Sequence, residues 1–172
     1  MRIVAGSLGG RRFDAPRGTE TRPSSDFVRE TAFNLVGPLE HAEVCDLYAG
    51  SGGLGLEALS RGAAACLFVD SSARACATIE ANLARLGLAG RVLRGDVIST
   101  LAREQRPFDL VLLDPPYDLD PAAALAPHLV RLLAPDGLVV YQSPARAEPV
   151  LAGLAVTTSR RYGSARLTLF RH

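Results

Sequence analysis

The sequence contains no lysine; all 19 of its basic residues are arginines. Every fixed positive charge is therefore a planar guanidinium that can grip a phosphate bidentately, although a genome-wide compositional bias would give the same result. The positions of these arginines carry more information than their identity. Long apolar runs are also missing. None approaches the ~20 residues that a membrane-crossing helix requires, and the opening MRIVAGSLGGRRF has no apolar segment of the signal-peptide kind. Cysteine is scarce: Cys45, Cys66 and Cys76 are odd in number and form no CxxC pair. Cys45 and Cys66 fall in apolar runs, so reduced packing cysteines are expected, in a cytoplasmic protein without redox or metal chemistry.

The chain has 172 residues, of which 48% are hydrophobic and 22% charged. That suits one globular domain over 1–172, with a hairpin and loop extension (1–22) on a core (24–172). The net charge of +1 hides an asymmetry. Residues 1–22 hold five arginines against Asp14 and Glu20, and residues 160–172 hold four arginines and no acid. Between them, ten arginines face sixteen acids. Both ends are basic and the middle is acidic.

The pattern predicts an N-terminal hairpin, Arg2–Ala5 and Arg11–Phe13 around GSLGG. A helix follows in SSDFVRETAFNLVG, capped by Ser24 or Ser25 and stopped at Gly37-Pro38. From Val44 strands and helices alternate: strand VCDLY, helix GLGLEALSRG, strand ACLFVD, then a helix capped by Ser71 and closed by Gly87. Next come strand RVLRGD, a short helix over Ile98–Glu104, strand FDLVLLD and a helix opened by Asp120-Pro121. The turn PDG leads into strand LVVYQS, Pro144 opens a further short helix, and two strands meet at Gly163-Ser164. Such alternation means an open, mostly parallel α/β sheet with ligands at the carboxyl ends of its strands.

Two strand ends are chemically unusual. In DLYAGSGGLGLEA, Gly50, Gly52 and Gly55 have GxGxxG spacing between a strand and a helix. Glycines there admit a ligand close to the backbone, and the helix start presents N–H groups. The spacing fits a nicotinamide dinucleotide as well as an adenosyl cofactor. Three acids narrow it: Asp46 near the first strand's end, Asp70 ending the second, where it could hold ribose hydroxyls, and Asp96 ending the third, where it could accept from an adenine amino group. Asp70 could instead cap the next helix, and Asp96 could be an exposed turn acid. The expected cofactor set is Asp46, Ala49, Gly50, Ser51, Gly52, Gly55, Asp70, Ser71, Asp96, Val97 and Asp114.

The fourth strand runs into Asp114-Pro115-Pro116-Tyr117. An ionised Asp only accepts, and neither proline has an N–H. The segment is rich in acceptors and poor in donors, its φ angles are fixed, and Tyr117 offers a ring for stacking. An exocyclic amino group on a base suits it. Acceptors around such an amine can aim its delocalised lone pair at a methyl donor and stabilise the growing positive charge. Asp114, Pro115, Pro116 and Tyr117 are the expected catalytic residues.

With these motifs in view, the chain resembles class I S-adenosylmethionine-dependent amino methyltransferases. RIVAGSLGGRRF, TRPSSDFVRETAFNLV, DLYAGSGGLGLEALSRGA, FDLVLLDPPY and RYGSARLTLF, in that order, resemble the bacterial 16S ribosomal RNA guanine-N2 methyltransferases across nearly the whole chain. It departs at Phe27, where that family usually has arginine, and in its short length. The resemblance implies a Rossmann-like seven-stranded sheet, the last strand antiparallel and inserted beside the fifth. It also implies that S-adenosyl-L-methionine is the cofactor, held by Gly50, Gly52, Gly55, Asp70 and Asp96, and that Asp114 to Tyr117 hold a guanine.

If the sixth strand is parallel to the rest, Arg160, Arg161 and Tyr162 at its end stand beside the site. Together with Arg11, Arg12 and Arg22 they would form an RNA-binding rim. The expected partner is 16S ribosomal RNA or the small ribosomal subunit, with the protein a monomer. Because a duplex hides the guanine lone pair, the target must lie in a loop or be flipped out. An adenine-N6 methyltransferase of DNA or RNA, a nicotinamide-dependent oxidoreductase and a non-catalytic RNA-binding module are the competing readings.

Overall fold

The computed structural model describes residues 1–16 and 26–172. Arg22, Ser24 and Ser25 lie outside the described residues. The helices are α1 (Asp26–Val36), α2 (Gly53–Ser60), α3 (Ala73–Leu86), α4 (Val97–Arg103) and α5 (Ala122–Leu132). The strands are β1 (Glu43–Leu47), β2 (Ala65–Asp70), β3 (Arg91–Arg94), β4 (Phe108–Leu113), β5 (Leu133–Pro144), β6 (Ala155–Tyr162) and β7 (Ala165–Arg171).

The strands form one seven-stranded sheet in the order β3-β2-β1-β4-β5-β7-β6. β1 to β5 run parallel. β7 is antiparallel to both neighbours, β5 and β6, so β6 is parallel to the first five. The carboxyl ends of β1 to β6 therefore share one edge, and Tyr162 stands on it.

Alternation along the central strands divides the core between two faces. Val44, Phe68, Leu110, Leu112 and Val140 pack with α1, α2 and α3 residues such as Phe33, Leu56 and Ile79. Cys45, Leu67, Val111, Leu113 and Val139 point the other way, against Leu101 of α4 and Leu125 and Leu129 of α5. All three cysteines are buried and free.

The N-terminal segment packs into the first of these faces through Ile3 and Phe13. Its two arms pair as the expected hairpin, through an antiparallel bridge of Arg2 with Arg12 and hydrogen bonds from Ile3, Gly10 and Phe13 N–H to the Arg11, Ile3 and Met1 carbonyls, and the turn side of the hairpin is tied to α2. The Glu57 carboxylate accepts from the N–H groups of Val4 and Ala5 at 2.7 and 2.9 Å. Ser60 Oγ donates to the Ala5 carbonyl and accepts from Leu8 N–H. Gly6 runs so close to α2 that a Cβ would stand 2.0 Å from the Ser60 carbonyl oxygen.

Three boundaries differ from the sequence pattern. α3 is capped by Ser72, whose Oγ accepts from Ala75 N–H, and not by Ser71. Pro144 opens no helix. It is the last residue of β5, paired with Ala165, and its carbonyl closes a turn with Ala147 N–H. The PDG turn becomes an irregularity inside β5, where partners of β4 jump from Leu133 to Leu138.

Candidate active site

A cavity of about 510 Å³ opens at the carboxyl edge of β1, β2, β4 and β5. That lies within the size range of small-ligand sites. Of the residues singled out in the sequence, Asp46, Ala49, Gly50, Ser51, Asp70, Ser71, Asp96, Val97 and Asp114 to Tyr117 line it. Residues far apart in the chain thus meet at one surface.

Asp70 ties the glycine loop to the next helix. Its Oδ2 accepts from Gly50 N–H and its Oδ1 from Ser72 N–H, both at 2.8 Å. A carboxylate oxygen has more than one lone-pair site, so the same group can hold the loop and take ribose hydroxyls. Asp96 is the N-cap of α4, accepting from Ser99 N–H at 2.8 Å, and it lines the cavity as well. That backbone hydrogen bond is the main reason its carboxyl lies below the usual carboxylate range.

Asp46 is almost fully buried, and its Oδ2 accepts from Gly55 N–H at 2.8 Å. Burial pushes its carboxyl well above the usual range; the Gly55 hydrogen bond opposes this, and the charges of Asp114 and Asp70 add to it. Gly52 and Gly55 do not line the cavity. They let the loop pack: Gly52 has φ 78°, and a Cβ on Gly55 would stand 2.2 Å from the Phe68 ring. Helix and strand meet there with no room for a side chain.

The Asp114–Tyr117 segment forms a wall between this cavity and a second one of about 260 Å³. Pro115 is buried, whereas Tyr117 is 45% exposed. The Pro116 carbonyl accepts from Leu119 N–H at 2.9 Å. One of the expected acceptors thus also closes a turn.

The cavity has further walls that the motifs did not announce: Met1, Arg29, Tyr48, Gly53, Leu54 and Gln142. Tyr48 sits at φ 57°, a left-handed conformation uncommon for a large side chain. It directly precedes the glycine loop, a place where strained residues gather. Burial, with the charge of Asp96, raises its phenol above the usual value. Arg29 did carry a signal, a charged residue among the buried α1 positions Val28, Ala32 and Phe33.

Of the arginines expected to bind RNA, Arg160 and Arg161 are exposed near the end of β6, and Arg11 and Arg12 are exposed on the N-terminal segment. Tyr162 meets Phe27 edge to face, ring centroids 6.2 Å apart. Phe27 is 63% exposed, so an apolar ring faces solvent beside the basic pair.

A family model described as "Conserved hypothetical protein 95" matches residues 1–171. "Putative rRNA methyltransferase YlbH" of Bacillus subtilis (strain 168) is 38% identical over 181 residues, covering 99% of this chain and 98% of that protein. "Ribosomal RNA small subunit methyltransferase D" of Escherichia coli (strain K12) is 39% identical over 119 residues, 68% of this chain and 60% of the relative. A solved structure described as "Putative methyltransferase yhhF from Escherichia coli" matches with TM-score 0.88 and 31% identity, covering 100% of this chain and 97% of the other. The sheet order, the antiparallel β7 and the glycine loop define a class I methyltransferase fold. Within that class the chain belongs to the bacterial 16S ribosomal RNA methyltransferase D family, the one matched by that family model.

Proposed function

We propose that this protein transfers a methyl group from S-adenosyl-L-methionine to the exocyclic N2 of a guanine in 16S ribosomal RNA. The observation that carries the reading is one cavity lined by the glycine loop, Asp70 and Asp96 as well as by Asp114 to Tyr117. The residues fit the cofactor. Gly50, Ser51 and Gly53 line the cavity with backbone that a ligand can approach closely, and Asp70 would hold ribose hydroxyls and Asp96 an adenine amino group. When bound, the cofactor supplies an electrophilic methyl group on sulfur.

The chain's own residues do the rest. Asp114 and the Pro115 carbonyl accept from the N–H bonds of the amine and aim its lone pair at the methyl carbon. As the nitrogen–carbon bond forms and the methyl carbon–sulfur bond breaks, its electron pair returning to sulfur, positive charge would grow on nitrogen, and the Asp114 carboxylate would stabilise it. The surplus proton leaves through Asp114 or water. Tyr117 stacks on the base, and positioning of the two reactants supplies a large share of the rate. Arg11, Arg12, Arg22, Arg160, Arg161 and Tyr162 hold the RNA through phosphates and stacking, with the target base looped or flipped out. Relatives named for ribosomal RNA methylation support the substrate class.

The test is methyl transfer from labelled cofactor to undermethylated small ribosomal subunits, to naked 16S RNA and to DNA. Label in ribosomal RNA and none in DNA is expected. Label in DNA alone would replace the proposal with a DNA adenine-N6 methyltransferase.

A further inference from the structure

Arg29 is 1% exposed, yet it lines the cavity. The other Arg, Asp and Glu side chains lining that cavity among the described residues are all carboxyl groups: Asp70, Asp96 and Asp114, with Asp46 buried behind them. The guanidinium is held from behind. Its Nη2 donates to the Arg2 carbonyl and to Asp26 Oδ1, both at 2.7 Å, and it lies over the Phe13 ring. Its Nε is buried without a hydrogen-bond partner. Glu57 Oε2 is 3.6 Å from it, too far for a good hydrogen bond. That carboxylate already serves Val4, Ala5 and Arg61.

Two facts make this arrangement electrostatically incomplete. The connected cluster holds three cations, Arg2, Arg29 and Arg61, against two anions, Asp26 and Glu57. The Arg29 guanidinium also crosses the first residue of α2: a Cβ on Gly53 would stand 3.3 Å from its Nη1. A cation at the positive end of a helix is disfavoured unless an anion joins it. A carboxylate placed there would meet both a guanidinium and a helix N-terminus. Elsewhere in the cavity it would face acids.

Resting on the proposed cofactor, we propose that Arg29, over the Gly53 end of α2, receives the carboxylate of the cofactor's amino-acid moiety. Arg29 is then the residue that sets which way the cofactor lies. Held there, the cofactor would have the acids Asp70, Asp96 and Asp114 left to face its cationic groups.

Calorimetric titration with S-adenosylhomocysteine and with its neutral carboxamide tests this without turnover. Wild-type protein is expected to bind the carboxylate form roughly tenfold or more tightly than the amide, the usual scale of a hydrogen bond to a charged group. Arg29→Gln is expected to reduce that preference to about twofold or less, and Arg29→Lys to keep part of it, with circular dichroism confirming the fold. Equal binding of the two ligands by wild type would overturn the proposal alone, as would an unchanged preference in Arg29→Gln. Binding of neither, with NAD bound instead, would overturn the cofactor reading and this proposal together.

Discussion

The two loops that close the cavity are opposite in hydrogen-bonding character. The loop from Ala49 to Gly55 is pinned through its N–H groups, with Gly50 bonded to Asp70 and Gly55 to Asp46. The segment from Asp114 to Tyr117 has two consecutive residues without an N–H and uses carbonyl and carboxylate oxygens instead. One loop thus donates its N–H groups within the protein, to two acids at strand ends. The other suits a ligand that donates, such as an aromatic amine. Both sit on the same edge of the sheet, after strands β1 and β4 that pair directly. In the proposed reaction, adjacent strand ends would bring a methyl donor and a methyl acceptor to one space.

Breaking the acceptor loop should have the largest effect. Asp114→Ala is expected to slow single-turnover methyl transfer by about a hundredfold or more, the scale of removing a group that stabilises developing charge. Binding of S-adenosylhomocysteine should change only slightly. An equal loss of both would mean that Asp114 serves the cofactor and not the amine.

The proposed RNA-binding arginines extend the comparison outward. Reversing Arg11, Arg12, Arg160 and Arg161 to Glu should weaken RNA binding at moderate salt. The slope of log affinity against log salt should fall by about one for each phosphate that is no longer neutralised. Wild-type affinity in this variant would mean that the RNA lies elsewhere.

Tyr117→Ala should lower RNA affinity by about 1–3 kcal/mol if the ring stacks on a base, while Tyr117→Phe should retain most of it. Equilibrium binding by both variants decides this, and a deficit in Tyr117→Phe equal to that of Ala would point to the hydroxyl.

The donor loop breaks through packing. In Gly55→Ala the added Cβ would collide with the Phe68 ring, at a cost of about 1–3 kcal/mol. Thermal unfolding should show it, and an unchanged midpoint would mean that Phe68 moves aside easily.

The smallest effect concerns Asp46. Its folded carboxyl titrates above the unfolded one, so the folded state holds a proton that the unfolded chain releases. Stability must then decline as pH rises from the usual carboxylate range toward the folded value. Asp46→Asn keeps an oxygen for Gly55 N–H and removes the titration. Its stability relative to wild type should improve as pH rises above the usual carboxylate range; parallel pH curves would contradict the raised carboxyl.

Much of this design was legible in local sequence, for identifiable reasons. Strands β1, β2 and β4 are apolar runs ending in or near acids, and both cavity loops are continuous motifs. Asp70 and Asp96 read as ligands or caps, and the structure gives each a backbone hydrogen bond as well as a place on the cavity. Pro144 misled because proline at a helix start and proline at a strand end look alike, and only the pairing of β5 with β7 separates them. Ser71 and Ser72 are interchangeable as caps on paper. Asp70 decides by taking the Ser72 N–H, while Ser71 lines the cavity. Arg29, Met1 and Gln142 were hard to read as site residues because they lie far in sequence from the glycine loop and from Asp114–Tyr117. The charged residue on the apolar stripe of α1 was the one local hint.

Whether the two loops together methylate a guanine is decided by nucleoside mass spectrometry. The substrate is 16S ribosomal RNA from small subunits lacking this modification, analysed after incubation with the protein and S-adenosylmethionine. One new N2-methylguanosine is expected, absent when Asp114→Ala replaces the wild type. N6-methyladenosine in its place, or an unchanged nucleoside profile, would contradict the proposed reaction.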